Sequence, residues 1–157
     1  MYIGWIRQNI LRCYMKPFKY IKLALISMFF LWWFFLSHVT FTVFPRKFEM
    51  HNEDYMVRYY YVLPTNIIGI YSWFFNYRPE YIVLYDKNYN YIGQSSPFCI
   101  RSNTDLLAGE HVLPEIEFTN EYDSSSFYIS GGNCQEEYEI PTKTKKWWSQ
   151  ILQYFHL

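Results

Sequence analysis

Acidic residues are missing from the first 48 positions of this 157-residue chain, where Arg7, Arg12, Lys16, Lys19, Lys22, Arg46 and Lys47 stand without one Asp or Glu. Residues 49–157 reverse the balance, with all 14 acids against seven Lys and Arg, so a formal charge of zero conceals a basic end and an acidic remainder. A nucleic-acid-binding domain needs a basic folded face, and the folded part here is acidic, which excludes nucleic acid as a partner. Glycine (six) and cysteine (three) are scarce. No CxxC, HExxH or nucleophile-elbow spacing occurs, and the Gly131-Gly132 pair has no phosphate-binding context. His51 near Asp54, or His111 near Glu110 and Glu115, form no ligand pattern beyond acids and histidines in polar loops. Ser124, Ser125 and Ser126 after Asp123 read as a loop. No catalytic residue, metal or cofactor is expected, and an enzyme is the least favoured class.

The longest stretch without charge runs from Leu23 to Phe44, LALISMFFLWWFFLSHVTFTVF. As a helix its 22 residues extend about 33 Å, enough to cross the hydrocarbon core of a bilayer. So short a chain has too little protein to bury such a helix. Leu23, Phe29, Trp32, Trp33 and Phe44 are its expected membrane-facing residues, and Pro45 suits its end. A cleaved secretory signal fits poorly, because the run is long and ends in Val43-Phe44-Pro45-Arg46 without a small-x-small site. The expected organisation is a basic cytoplasmic segment 1–22, an uncleaved signal anchor 23–44 and an extracytoplasmic domain 45–157. Five cationic residues precede the run and two follow it, which retains the N-terminus in the cytoplasm. In the first 20 residues Trp5, Ile6, Ile10, Leu11, Tyr14 and Met15 recur at helical spacing, consistent with a short helix on the anionic leaflet or with a basic tail. Ser37 and His38 fall in the outer half of the run, where a polar residue raises the question of a proton or ligand role.

Beyond the anchor the pattern changes to that of strands. Aromatic residues make up 24% of the chain, and Tyr55 to Val62 is rich in types that favour a pleated surface. A turn near His51 to Asp54 would make it half of a hairpin. The clearest hairpin is YIVLYDKNYNYIGQSSPF, Tyr81 to Phe98, where Asp86 to Asn90 carry the turn and Gly93 marks a bulge or close approach. Between the two lies IIGIYSWFFNYR, too short to span, which either covers the sheet or dips Trp73, Phe74 and Phe75 into the membrane interface. Short strands are expected at Ile116–Thr119, Phe127–Ser130 and Glu137–Ile140, with a turn at Gly131 to Asn133 and a short helix capped by Asn103 or Thr104. About 144–156 forms an amphipathic helix whose face of Trp147, Trp148, Ile151, Leu152 and Phe155 packs on the sheet or returns to the membrane. The fold class expected is therefore a membrane-anchored α+β protein: one N-terminal transmembrane helix, a small mainly antiparallel β domain and a C-terminal amphipathic helix.

The topology sorts the cysteines, placing Cys13 on the cytoplasmic side and Cys99 and Cys134 together outside, where an oxidising space allows them to pair or leaves two buried thiols. A link would close a loop of about 36 residues, worth roughly 3 to 4 kcal/mol.

The hairpin YIVLYDKNYNYIGQSSPF, the close KKWWSQILQYF and the basic N-terminus with an aromatic anchor ending in FTVFP resemble a family of small enterobacterial single-pass envelope proteins of uncharacterised function. The resemblance implies an inner-membrane location with a periplasmic domain and carries no functional residues. Three functions remain open. One is a non-enzymatic binding or accessory protein gripping a protein partner in the envelope, in its specific form an immunity protein against an envelope-targeting toxin. A second is a structural or regulatory subunit of a membrane complex, assembled through Phe29, Phe30, Trp32, Trp33, Phe34 and Phe35. The third is a hydrolase. The lipid bilayer is a partner in all three.

Overall fold

The computed structural model describes residues 3–45, 48–114 and 125–157, with side chains described from residue 18 onward. The chain divides into two compact units, Met1–Trp33 and Phe34–Leu157. The first consists of helix α1, Ile3–Phe35, whose last residues begin the second unit. Its backbone is helical without interruption from Ile3, and within it Phe18–His38 is long and apolar enough to cross a membrane. Leu23, Phe29 and Trp32 are exposed. The side chains of residues 1–17, including Cys13, lie outside the described residues, as do Arg46 and Lys47.

The helix ends at Phe35, short of the Phe44 expected from the charge-free run. One turn of 3-10 helix, Leu36–His38, follows, and Val39 is already extended. The cause is tertiary. Thr40 donates its N–H to Phe155 and accepts from Leu157, while Thr42 donates to Leu157, forming a parallel bridge of Thr40 with His156. Backbone groups claimed by a strand partner are lost to a helix. Phe44 lies beyond this bridge, 78% exposed.

In the second unit two antiparallel sheets form among the described residues. Strands β1 (Glu49–His51), β2 (Tyr55–Tyr61), β3 (Pro79–Asp86) and β4 (Tyr91–Gln94) lie side by side, and β5 (Arg101–Ser102) extends the β4 edge of β3. The second sheet joins β6 (Glu110–Val112), β7 (Ser126–Ser130) and β8 (Ile140–Pro141). The expected strand Ile116–Thr119 lies outside the described residues.

Both hairpins arise from local side-chain chemistry. Asn52 Oδ1 accepts from the backbone N–H of Asp54 and Tyr55, and Asp86 Oδ1 accepts from those of Asn88 and Asn90, so each carboxyl or amide substitutes for a backbone acceptor in its turn. The Asn90 bonds hold the Asp86 carboxyl below its usual range. In the second hairpin the register slips between Leu84 and Tyr85. Gly93 sits opposite Leu84, where a Cβ would lie 2.9 Å from Ile140 Cγ2 and 3.3 Å from Ser149 Oγ; the residue permits a close approach.

Alternation along β2 and β3 divides the core. Val57, Tyr59, Ile82 and Leu84 face the second sheet and pack with Leu106, Phe127, Ile129 and Ile140. Tyr60, Val62, Tyr81, Val83 and Tyr85 face the other way. Tyr60 and Tyr81, paired across the strands, stack at 5.7 Å, and the Tyr60 and Tyr85 hydroxyls meet at 2.9 Å. Segment 37–40 and the region around His156 cover this face: Tyr81 donates to the Val39 carbonyl, and His156 lies 5.3 Å from both Tyr85 and Tyr91.

Four short α-helices complete the described residues of the unit. Helix α2 (Ile67–Phe75) is capped by Asn66, whose side chain accepts from Gly69 N–H. Helix α3 (Asn103–Ala108) is capped by Ser102 rather than Asn103 or Thr104, because Ser102 Oγ accepts the Asp105 N–H. The stretch expected as a strand from Glu137 is helical to Tyr138, in α4 (Gln135–Tyr138), since Cys134 enters it in a left-handed conformation; only Ile140–Pro141 pairs. Helix α5 (Trp147–Leu152), followed by a 3-10 turn at Gln153–Phe155, is shorter than 144–156.

Candidate functional site

The Cys99 and Cys134 sulfurs are bonded, joining the approach to β5 with the loop after β7. That loop turns through Gly131, Gly132 and Cys134 at φ of 82°, 77° and 62°. A Cβ on Gly132 would also meet the Arg101 guanidinium, which would have to shift. The Arg101 guanidinium donates to the Gly131 carbonyl and lies over the Tyr138 ring at 5.4 Å. Arg101 and Glu80 are cross-strand partners, both buried, and the Glu80 carboxylate accepts from Asn103 Nδ2 at 3.0 Å. Tyr138 Oη accepts from the Arg101 backbone N–H and donates to the Glu80 carbonyl. Burial raises the Tyr138 phenol well above its ordinary range. The Arg101 guanidinium thus holds the loop through Gly131, while the Glu80 carboxylate holds Asn103 at the start of α3.

Beside it opens a cavity of about 490 Å³ lined by Asn76, Ile100, Arg101, Asp105, Asn133 and the disulfide, among others. A second depression of about 290 Å³, lined by Ile67, Ile68, Tyr71, Pro97, Phe98 and Ile100, shares Asn76 and Ile100 with the first. The two adjoin as one groove, of mixed polarity beside the disulfide and mainly apolar beside α2. Among the described residues that line it, no nucleophile and base are brought together.

The histidines are separately employed. His111 Nε2 lies 2.6 Å from the Leu106 carbonyl, which can only accept, so Nε2 carries the proton and Nδ1 accepts from Tyr59 Oη at 2.6 Å. Glu110, its neighbour on β6, points to the opposite, exposed face, and Glu115 lies outside the described residues, as do Asp123 and Ser124. Asp54 pairs with Lys87 at 2.7 Å, and no ion pair with the exposed His51 competes for it. Among the described residues no group of three His, Cys, Asp or Glu is placed to hold a metal. Ser37 and His38 are fully buried in the domain, with Ser37 Oγ 2.9 Å from His38 Nδ1 and the ring 5.0 Å from Tyr81.

Burial holds the His111 ring below its ordinary value of 6.5. The unfolded chain therefore binds the proton first as pH falls, and stability, complete above about 6.5, declines from there down to the folded value. His156 shifts the same way through burial. Urea midpoints measured from pH 8 to 5 should fall below pH 6.5 and fall less steeply in His111→Gln; parallel curves for the two proteins would rule out His111 as a source.

The C-terminal helix packs on β4 with Leu152 of the expected face buried, and Ser149, which that face leaves out, beside it. Ser149 and Leu152 are buried, and Ser149 Oγ exchanges hydrogen bonds with the backbone N–H and carbonyl of Gln94. Trp148 Nε1 donates to that same carbonyl, while Ile151 and Phe155 are half-buried. Trp147 remains 54% exposed, stacked on Phe98 and edge-on to Phe35.

A family model described as a family of unknown function, DUF6201, matches residues 18–152. The chain belongs to this family. Neither the curated proteins nor the solved structures contain a match. The matched span takes in the apolar part of α1, both cysteines of the disulfide, the groove and α5.

Proposed function

We propose that this member of the family is a non-enzymatic binding or accessory protein, anchored in a bacterial inner membrane with residues 1–22 in the cytoplasm and the β domain in the periplasm. The observation that carries the reading is the run of an apolar, membrane-length helix directly into a domain closed by a disulfide. Disulfides persist in oxidising compartments, which supports an extracytoplasmic domain, and the excess of Lys and Arg before the run supports the same direction. The resemblance to enterobacterial envelope proteins agrees with that compartment. The groove beside α2 and the disulfide offers a seat for a peptide segment of a protein partner, and the acidic domain speeds encounter with a basic one. Immunity against an envelope-targeting toxin is the specific form of this function.

Full-length protein carrying an N-terminal tag, purified from membranes with its partners identified by mass spectrometry, tests it. Asn133→Trp, which fills the groove mouth from an exposed position, should lose the partner and keep the membrane location. Replacing residues 18–33 by an unrelated span, which leaves Phe34 and Phe35 on the domain, should keep the partner. The reverse pattern, with the partner lost on span replacement alone, would favour the subunit of a membrane complex.

A further inference from the structure

Helix α2 is built inside out for a protein in water. Its buried residues are Gly69 and Ser72, while Tyr71, Phe74 and Phe75 are 60%, 82% and 72% exposed. Residues 62–77 contain no charge. The small face is fixed in place: a Cβ on Gly69 would lie 2.0 Å from the Leu63 carbonyl oxygen and 3.0 Å from Ser37 Cβ, and Trp73 Nε1 donates to the Val62 carbonyl. Ordinary amphipathic helices turn their large apolar side chains to the core. Here the glycine and serine are inside because the helix lies tightly on Ser37, and the aromatic rings are left facing out.

Ser37 is the informative neighbour, because it stands at the end of Phe18–His38, the segment long and apolar enough to cross a membrane. The helix that carries the outward rings is therefore seated, by its small face, against the end of that segment. Other exposed aromatics gather on the same stretch of chain: Phe98 and Trp147 stack on each other and both meet Phe35, and Phe41 and Phe44 follow Thr40. Trp147 comes directly after exposed Lys145 and half-buried Lys146, the residue types that sit at headgroups.

We infer that α2 lies in the interface of the bilayer through which α1 passes, with Phe74 and Phe75 among the acyl-chain ends and Trp73 at headgroup level. The occupant of this face is phospholipid. Aromatic residues without charge, adjoining the end of a span, have the composition of a membrane-interface belt. The inference rests on the proposed anchoring, and its test separates the two.

Full-length protein is reconstituted into vesicles of phosphatidylethanolamine and phosphatidylglycerol with a photo-reactive residue in place of Phe74, Phe29 or Tyr89, and adducts are identified by mass spectrometry. All three side chains are exposed, so the fold tolerates the exchange. Tyr89, in the turn at the Asp86 end of β3, is the control, since α2 joins the Pro79 end. Lipid adducts at Phe74 and Phe29, with loss of the adduct at Tyr89, are expected. Adducts at Phe29 but not Phe74, or protein adducts at Phe74, overturn the interfacial placement and leave the anchor standing. No lipid adduct at Phe29 overturns the anchor and this inference with it.

Discussion

Loss of the Cys99–Cys134 link, in Cys99→Ser or by reduction of the native chain, is expected to destabilise the domain by about 3 to 4 kcal/mol. The link spans 35 positions of sequence, and the chain between its ends includes β5, α3, β6 and β7. Cys99 precedes the first sheet's β5 and Cys134 follows the second sheet's β7, so the bond staples one sheet to the other. Without it the unfolded chain regains the freedom of that loop, and the left-handed turn at 131–134 keeps only its contact with Arg101. Unfolding followed by urea should show the loss in Cys99→Ser, a similar loss in the reduced native chain, and a lowering of the thermal midpoint by roughly 10 to 20 °C. A native chain indifferent to reductant would show that the thiols are not joined in solution, and would remove the main support for an oxidising compartment.

Phe127→Ala should cost about 3 to 5 kcal/mol, against the 5 to 15 kcal/mol typical of a whole domain. Phe127 is fully buried in β7, in the cluster of Val57, Ile82 and Leu84 from the first sheet and Ile140 from β8. Truncation removes the ring from the seam between the sheets, where rigid strands on both sides limit collapse into the space. Phe127→Leu should lose much less. Equilibrium unfolding checks the order, with the denaturant slope unchanged; a cost below about 1 kcal/mol for the alanine variant would mean that the sheets do not pack on each other as described.

The hairpins were legible because their information is local. Val and Tyr runs bounded by Asn52 or by Asp86 to Asn90 carry both the strand preference and the turn acceptor within a few residues. The antiparallel β domain and the apolar N-terminal helix followed from the same kind of pattern. Where residues far apart decide, periodicity failed. The helix was drawn out to Phe44 because LSHVTFTVF is apolar, whereas its backbone is claimed by residues more than a hundred positions away. The large residues singled out in α2 and α5 leave out Gly69, Ser72 and Ser149, which the close contacts bury, while Leu152 of the α5 face is buried as expected. Those small residues among large aromatics were the available signal. The Glu80–Arg101 cluster had no signal at all, since only the β3–β5 register brings the two together.

The bridge between Thr40 and His156 also sets an order of events during synthesis. Thr42 Oγ1 donates to the carbonyl of Leu157, a residue 115 positions downstream. At the usual pace of elongation that partner arrives on the order of ten seconds later. Thr40 and Thr42 must wait through this interval without these backbone partners, while the Ser37 and Val39 carbonyls can already take Leu63 and Tyr81, and the bridge closes after the hairpins have had ample time to form. The bridge beyond the apolar helix is thus a late product of folding, made by residues the ribosome has yet to add when that helix first emerges.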